Sequence, residues 1–103
     1  MHKVFDIVDA GYRFLDIEFP LNEVNNGNFM DFAQPSVAVE DFAHFLEDQE
    51  VTFPTVHDLN KFLAIRKPLR LDWYASVLPV IVNFIYFACQ RKIKFDRGED
   101  PWK

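Results

Sequence analysis

The chain has 103 residues, half of them hydrophobic and 17% aromatic. That composition excludes intrinsic disorder, and the length provides one core rather than a multidomain enzyme. The formal charge of −5 hides an asymmetry, because residues 1–60 carry twelve Asp/Glu against Lys3 and Arg13, whereas residues 61–103 carry nine Lys/Arg against four acids.

Acids break every apolar run in the first nine residues, so the segment does not read as the apolar stretch of an export signal. From Lys3 to Leu15, Val4, Ile7, Val8, Gly11 and Leu15 recur at helical spacing, with Phe5, Tyr12 and Phe14 widening the stripe. Asp6, Asp9, Arg13 and Asp16 form the polar side, and Asp9–Arg13 has the favourable acid-first spacing of four. Leu15, Ile17 and Phe19 then alternate with acids up to Pro20, which suits a short extended segment or the end of the helix. Residues 20–35 read as a long connection turning at Asn25-Asn26-Gly27, with Phe29, Met30 and Phe32 placed to pin it to the core.

Ser36 suits an N-cap for a helix over 37–49, whose Val39, Phe42, Ala43 and Leu46 face inward. Glu40, Asp41, Glu47 and Asp48 lie opposite, around His44. Thr55 and Asp58 form a T-x-x-D capping pattern for a third helix with Val56, Leu59, Phe62 and Leu63 inward; Arg66 and Lys67 suit its end, and Pro68 stops it. Asp72 is placed to cap the last element. Trp73 to Cys89 is free of formal charge, yet shorter than the roughly 20 residues of a membrane span. It reads as the central helix of a bundle, kinked or restarted at Pro79, although Val, Ile, Phe and Tyr over 77–87 suit strands equally well. Residues 93–103 read as an extended tail whose Trp102 docks on this protein or on a partner. The expected fold is all-α: a small four-helix bundle-like single domain over 1–103 with a long first connection.

The rare residues narrow the chemistry. Gly11, Gly27 and Gly98 are too far apart for a phosphate-cradling loop, and neither Ser36 nor Ser76 sits in a nucleophile-elbow context. Cys89 is the single cysteine, which leaves no intramolecular disulfide and no CxxC pair; within its apolar run it reads as a small buried hydrophobe. With no export signal, the cytoplasm is the expected compartment. His44 shares a helix face with Glu40 and Asp48 but lacks a second histidine at helical spacing. The expectation is therefore no metal, no cofactor and no catalytic site.

Ser36, Leu46-Glu47-Asp48, Val51-Thr52-Phe53 and Thr55-Val56-His57-Asp58 follow an order that resembles the acyl and peptidyl carrier proteins, and Phe29-Met30-Asp31 is similar to the segment before their serine. The likeness covers about residues 29–63. That family attaches phosphopantetheine at the serine of an Asp-Ser-Leu motif, whereas this chain reads Pro35-Ser36-Val37. The resemblance implies a helical framework, and with it the alternative of a carrier-like or adaptor domain.

The acids Glu40, Asp41, Glu47, Asp48 and Glu50 have no basic residue among them, whereas ordinary surfaces intersperse both signs. Together with His44 they form the candidate partner-binding surface. Lys61, Arg66, Lys67, Arg70, Arg91, Lys92 and Lys94 either make a local basic patch or neutralise acids across the bundle. The net charge disfavours direct nucleic-acid binding. The leading expectation is a non-catalytic immunity or inhibitor protein, of the bacterial kind, that occludes a basic toxin or nuclease. A small membrane-associated protein is the remaining alternative.

Overall fold

Asp6 starts the first helix. Its backbone is extended, and its carboxylate accepts the Asp9 N–H at 3.0 Å, satisfying one of the donors that a helix start leaves unpaired. The computed structural model describes residues 4–19, 35–66 and 71–103, with side chains from residue 75 in the last segment. Regular structure among the described residues is entirely helical: α1 Ile7–Glu18, α2 Pro35–Asp48, α3 Val56–Arg66 and α4 Leu71–Asp96. The turn at Asn25-Asn26-Gly27, the anchors Phe29, Met30 and Phe32, and Lys67, Pro68 and Arg70 lie outside the described residues.

α1 begins later than its apolar spacing suggests and runs through Leu15–Glu18 of the alternation as helix, with Phe19 as its C-cap. Its inward stripe is Ile7, Ala10, Gly11 and Phe14, while Val4 is 75% exposed. The bulkiest side chain sets the rotation: Phe14 packs 5.6 Å from Phe84 and 5.5 Å from Phe87 of α4, ring centre to ring centre. Gly11 faces α2 so closely that a Cβ there would lie 2.9 Å from the Ala43 Cβ. The small residues Ala10, Gly11, Ala38 and Ala43 thus let α1 and α2 approach tightly. Tyr12 meets Glu40 one turn further along, so the two helices run antiparallel.

α2 starts at Pro35, whose fixed φ and missing N–H suit a first helical position. Ser36 is therefore inside the first turn rather than the residue preceding it. Phe42, fully buried, packs 5.2 Å from Phe62 and 6.2 Å from Phe84, joining α2 to both α3 and α4. α3 opens on the reciprocal cap expected of it: the Thr55 N–H donates to Asp58 Oδ2 at 2.8 Å and the Asp58 N–H to Thr55 Oγ1 at 3.4 Å. Leu59 and Phe62 are buried, but Val56 is 61% exposed, because seating Phe62 between Phe42 and Phe45 turns the first residue of α3 outward.

α4 begins at Leu71, so Asp72 falls within its first turn. The helix then continues unbroken through Pro79 and across 77–87, where strand was the competing expectation. Val77, Ile81, Phe84, Ile85 and Ala88 form its buried stripe. Pro79 and Ala75 lie on the exposed side, so the hydrogen bond that proline removes is lost away from the core. Residues 93–96 are the last turn of α4 and not extended. Gly98 (φ 81°) ends the helix: its N–H donates to the Phe95 carbonyl at 3.1 Å, and the Glu99 N–H donates to the Lys94 carbonyl at 3.0 Å. Asp100 then accepts the Trp102 N–H at 2.9 Å, folding Trp102 onto Phe5 (5.9 Å) and Phe87 (6.4 Å). Trp102 thus docks on its own chain. No helix among the described residues is long and apolar enough to cross a membrane. The architecture is an all-α, four-helix bundle-like domain.

Gly11→Ala tests the α1–α2 approach. Helix propensity alone favours alanine by about 1 kcal/mol, whereas overpacking between two backbones costs about 1–3 kcal/mol. The expected result in chemical denaturation is a net loss of stability, partly recovered when Ala43→Gly is added.

Candidate binding surface

The candidate residues from 40 to 48 lie on α2, and Glu50 follows it directly. Burial of Ala38, Val39, Phe42, Ala43 and Leu46 leaves Glu40, His44 and Glu47 on the flank beside α1, and Asp41 and Asp48 on the flank beside α3. The six do not act as one set.

Glu40 accepts a hydrogen bond from the Tyr12 hydroxyl at 3.3 Å, and His44 meets the Tyr12 ring edge-on at 6.4 Å. Partial burial and the neighbouring Glu40 carboxylate hold the Tyr12 phenol above its ordinary range. Asp41 faces the other way. Its Oδ2 is shielded from solvent and pairs with the Arg66 guanidinium, tying α2 to α3. The neutralising cation is absent from the local sequence because it arrives from the next helix.

His44, Glu47, Asp48 and Glu50 are the exposed members of the surface, and none of the three acids has an ion-pair partner among the described residues. They occupy the C-terminal end of α2, where the helix dipole favours cations, and the last turn of α2 contains no basic residue. Glu50 adopts φ 59°, the left-handed conformation usual for glycine. Its N–H donates to the Glu47 carbonyl at 3.0 Å and the Val51 N–H to the Leu46 carbonyl at 2.9 Å, the bonding pattern that closes a helix end. Half-buried Val51 then returns the chain to the core.

Among the described residues, most basic side chains of the second half are engaged within the protein. Arg66 pairs with Asp41, Arg91 lies 4.4 Å from the Phe87 ring centre, Lys92 pairs with Asp96 at 2.5 Å, and Lys94 donates to the Lys103 carbonyl at 2.6 Å. Cys89 is half-buried and its thiol donates to the Pro54 carbonyl at 3.2 Å; burial pushes the thiol up. Among the described residues no three His, Cys, Asp or Glu side chains are grouped so as to hold a metal ion.

Four acids outside the expected surface, Asp6, Asp9, Glu99 and Asp100, are brought together by packing around Phe5, Phe95 and Trp102. They come from opposite ends of the chain, so no local pattern joins them. Comparison with known proteins yields no match to any family profile, curated protein or solved structure.

Two measurements probe this description. Glu50→Gly is expected to stabilise the protein by about 1 kcal/mol by relieving the left-handed glutamate, read as a higher denaturation midpoint. Cys89 is expected to react with iodoacetamide at least about tenfold more slowly in the native protein than in denaturant, because burial suppresses the thiolate.

Proposed function

We propose that the protein is a non-catalytic binding protein that occludes a basic protein partner, an immunity or inhibitor protein acting on a toxin or nuclease. The observation that supports this most is the C-terminal turn of α2. There Glu47, Asp48 and Glu50 have no ion-pair partner among the described residues and an unfavourable place on the helix dipole, and Glu50 adds a left-handed non-glycine backbone. Each feature costs local stability, and departures of this kind gather at functional sites. Carboxylates presented together on a rigid helix end can steer a cationic partner and pair with its Lys and Arg residues. Glu40 and His44 extend the same flank toward α1, whereas Asp41 serves the α2–α3 junction.

The test is a triple variant, Glu47→Lys, Asp48→Lys and Glu50→Lys, that keeps Asp41 and Arg66 intact. A basic protein retained from the native lysate by the wild type, and inhibited by it when purified, should bind the variant at least about a hundredfold more weakly. The variant should unfold no earlier than the wild type, because lysines suit that helix end. Unchanged inhibition by a folded triple variant removes the proposed surface.

A further inference from the structure

α4 carries two uncharged seams. The inward one, Val77, Ile81, Phe84 and Ala88, is buried in the core. The second, Ala75, Pro79, Val82, Tyr86, Cys89 and Ile93, repeats in alternating steps of four and three, the spacing at which two helices pack along a shared seam. It lies on the outer side of the helix: Ala75 and Pro79 are exposed, Tyr86 and Ile93 are 66% and 40% exposed, and Val82 and Cys89 are half-buried. At the helical rise it extends about 27 Å along the axis. Asp96, one step further, is paired with Lys92 and ends the uncharged run.

The start of α3 widens this face. The Cys89 thiol donates to the Pro54 carbonyl at 3.2 Å, which sets the chain around Pro54 beside that level of α4. Phe53 and Val56 there are 48% and 61% exposed. Exposed apolar side chains gathered in one patch mark an interaction surface, whereas scattered ones do not. The solvent-facing edge of the seam, Ser76, Asn83 and Gln90, is polar and uncharged. On a chain of formal charge −5, a strip without charge is where two copies meet with least repulsion.

The sizes along the seam are also reciprocal. An antiparallel turn about an axis beside Phe84 pairs positions equidistant from that residue. Ala75 then faces Ile93 of the second copy, Val82 faces Tyr86 of the second copy, and the middle-sized Pro79 faces Cys89 of the second copy. No bulky residue meets another. Parallel pairing would instead set Tyr86 against Tyr86 and leave Ala75 against Ala75, a clash and a gap on one seam. We propose that the outer seam of α4 packs antiparallel on the same seam of a second copy, giving a two-fold dimer. A single helix seam with the Phe53–Val56 shoulder covers on the order of 500 Å² per copy, the low end for specific interfaces, so the dissociation constant falls at about 10–100 μM. None of the acids of the α2 turn belongs to the seam.

Sedimentation velocity of the intact protein from about 5 to about 500 μM tests this, with the wild type expected to pass from monomer to dimer across that range. Tyr86→Glu should weaken association at least about tenfold. Ile65→Glu makes the same charge change at a 64% exposed residue in the last turn of α3, away from Pro54, and should leave association as in the wild type. Both substituted side chains are exposed, and native amide dispersion verifies each fold. Val82→Lys should also weaken association. Mixed with Tyr86→Glu it should recover at least about tenfold, because antiparallel pairing sets the new lysine against the new glutamate and keeps the other contact native.

A wild type that stays monomeric at about 500 μM overturns the proposal and leaves the seam to a helix of another protein. Equal weakening by Tyr86→Glu and Ile65→Glu overturns it in favour of overall charge. Stronger recovery on mixing Val82→Lys with Val82→Glu overturns it in favour of parallel pairing.

Discussion

The close approach of α1 and α2 at Gly11 and Ala43 sets the geometry on which the rest of the domain depends. With no Cβ on one side and a single methyl on the other, the Ala43 methyl seats where a Gly11 side chain would stand. That proximity places Phe14 against Phe84 and Phe87 while Phe42 reaches Phe84 from the other helix, so three helices share one aromatic cluster. Phe42 then extends the cluster to Phe62, the main apolar anchor of α3. Dense packing of this kind resists even small added volume.

A second aromatic group closes the bundle at the start of α1. Phe5 precedes the helix, yet it is buried because Phe95 meets it edge-on and Trp102 stacks on it. The glycine-terminated end of α4 and the Asp100 turn make that return possible, and Arg13 covers part of the Trp102 ring. Residues near the two ends of the chain thus build one surface, whose carboxylates surround apolar rings. α2 contributes a different acidic edge, where charge is maintained against both the helix dipole and the backbone preference of Glu50.

Local patterns carried much of the fold. The T-x-x-D cap of α3, the Asp9–Arg13 pair and the inward face Val39, Phe42, Ala43 and Leu46 all follow from neighbours close in sequence, whereas Cys89, expected to be buried, is only half-buried. Periodicity was least informative where several rotations buried comparable numbers of apolar residues. In α1 and α3 the large phenylalanines chose the rotation and left Val4 and Val56 outside. At 77–87 β-branched and aromatic composition suited either conformation, and a continuous buried helical stripe decided it. The alternation over 93–96 misled for a related reason: four residues with a period near two also fit the last turn of an amphipathic helix.

The acidic stretch from 40 to 50 shows the same division at the candidate surface. Its composition, its place on a helix and the exposure of Glu47, Asp48 and Glu50 are legible from sequence, because apolar spacing fixes which side of α2 must turn inward. Which of its carboxylates remain free depends on other helices. Tyr12 of α1 takes Glu40 and Arg66 of α3 takes Asp41, and neither partner lies within a helical turn of the acid it meets. The second acidic group lies further still from local rules, since Asp6 and Asp9 join Glu99 and Asp100 only after the start of α1 packs on the end of α4. By itself the sequence determined the helices, the cap of α3 and the sign of the charge, all governed by interactions within a few residues. Tertiary structure alone decided which charges are neutralised and which converge, because pairing across helices requires the closed core to bring distant residues together.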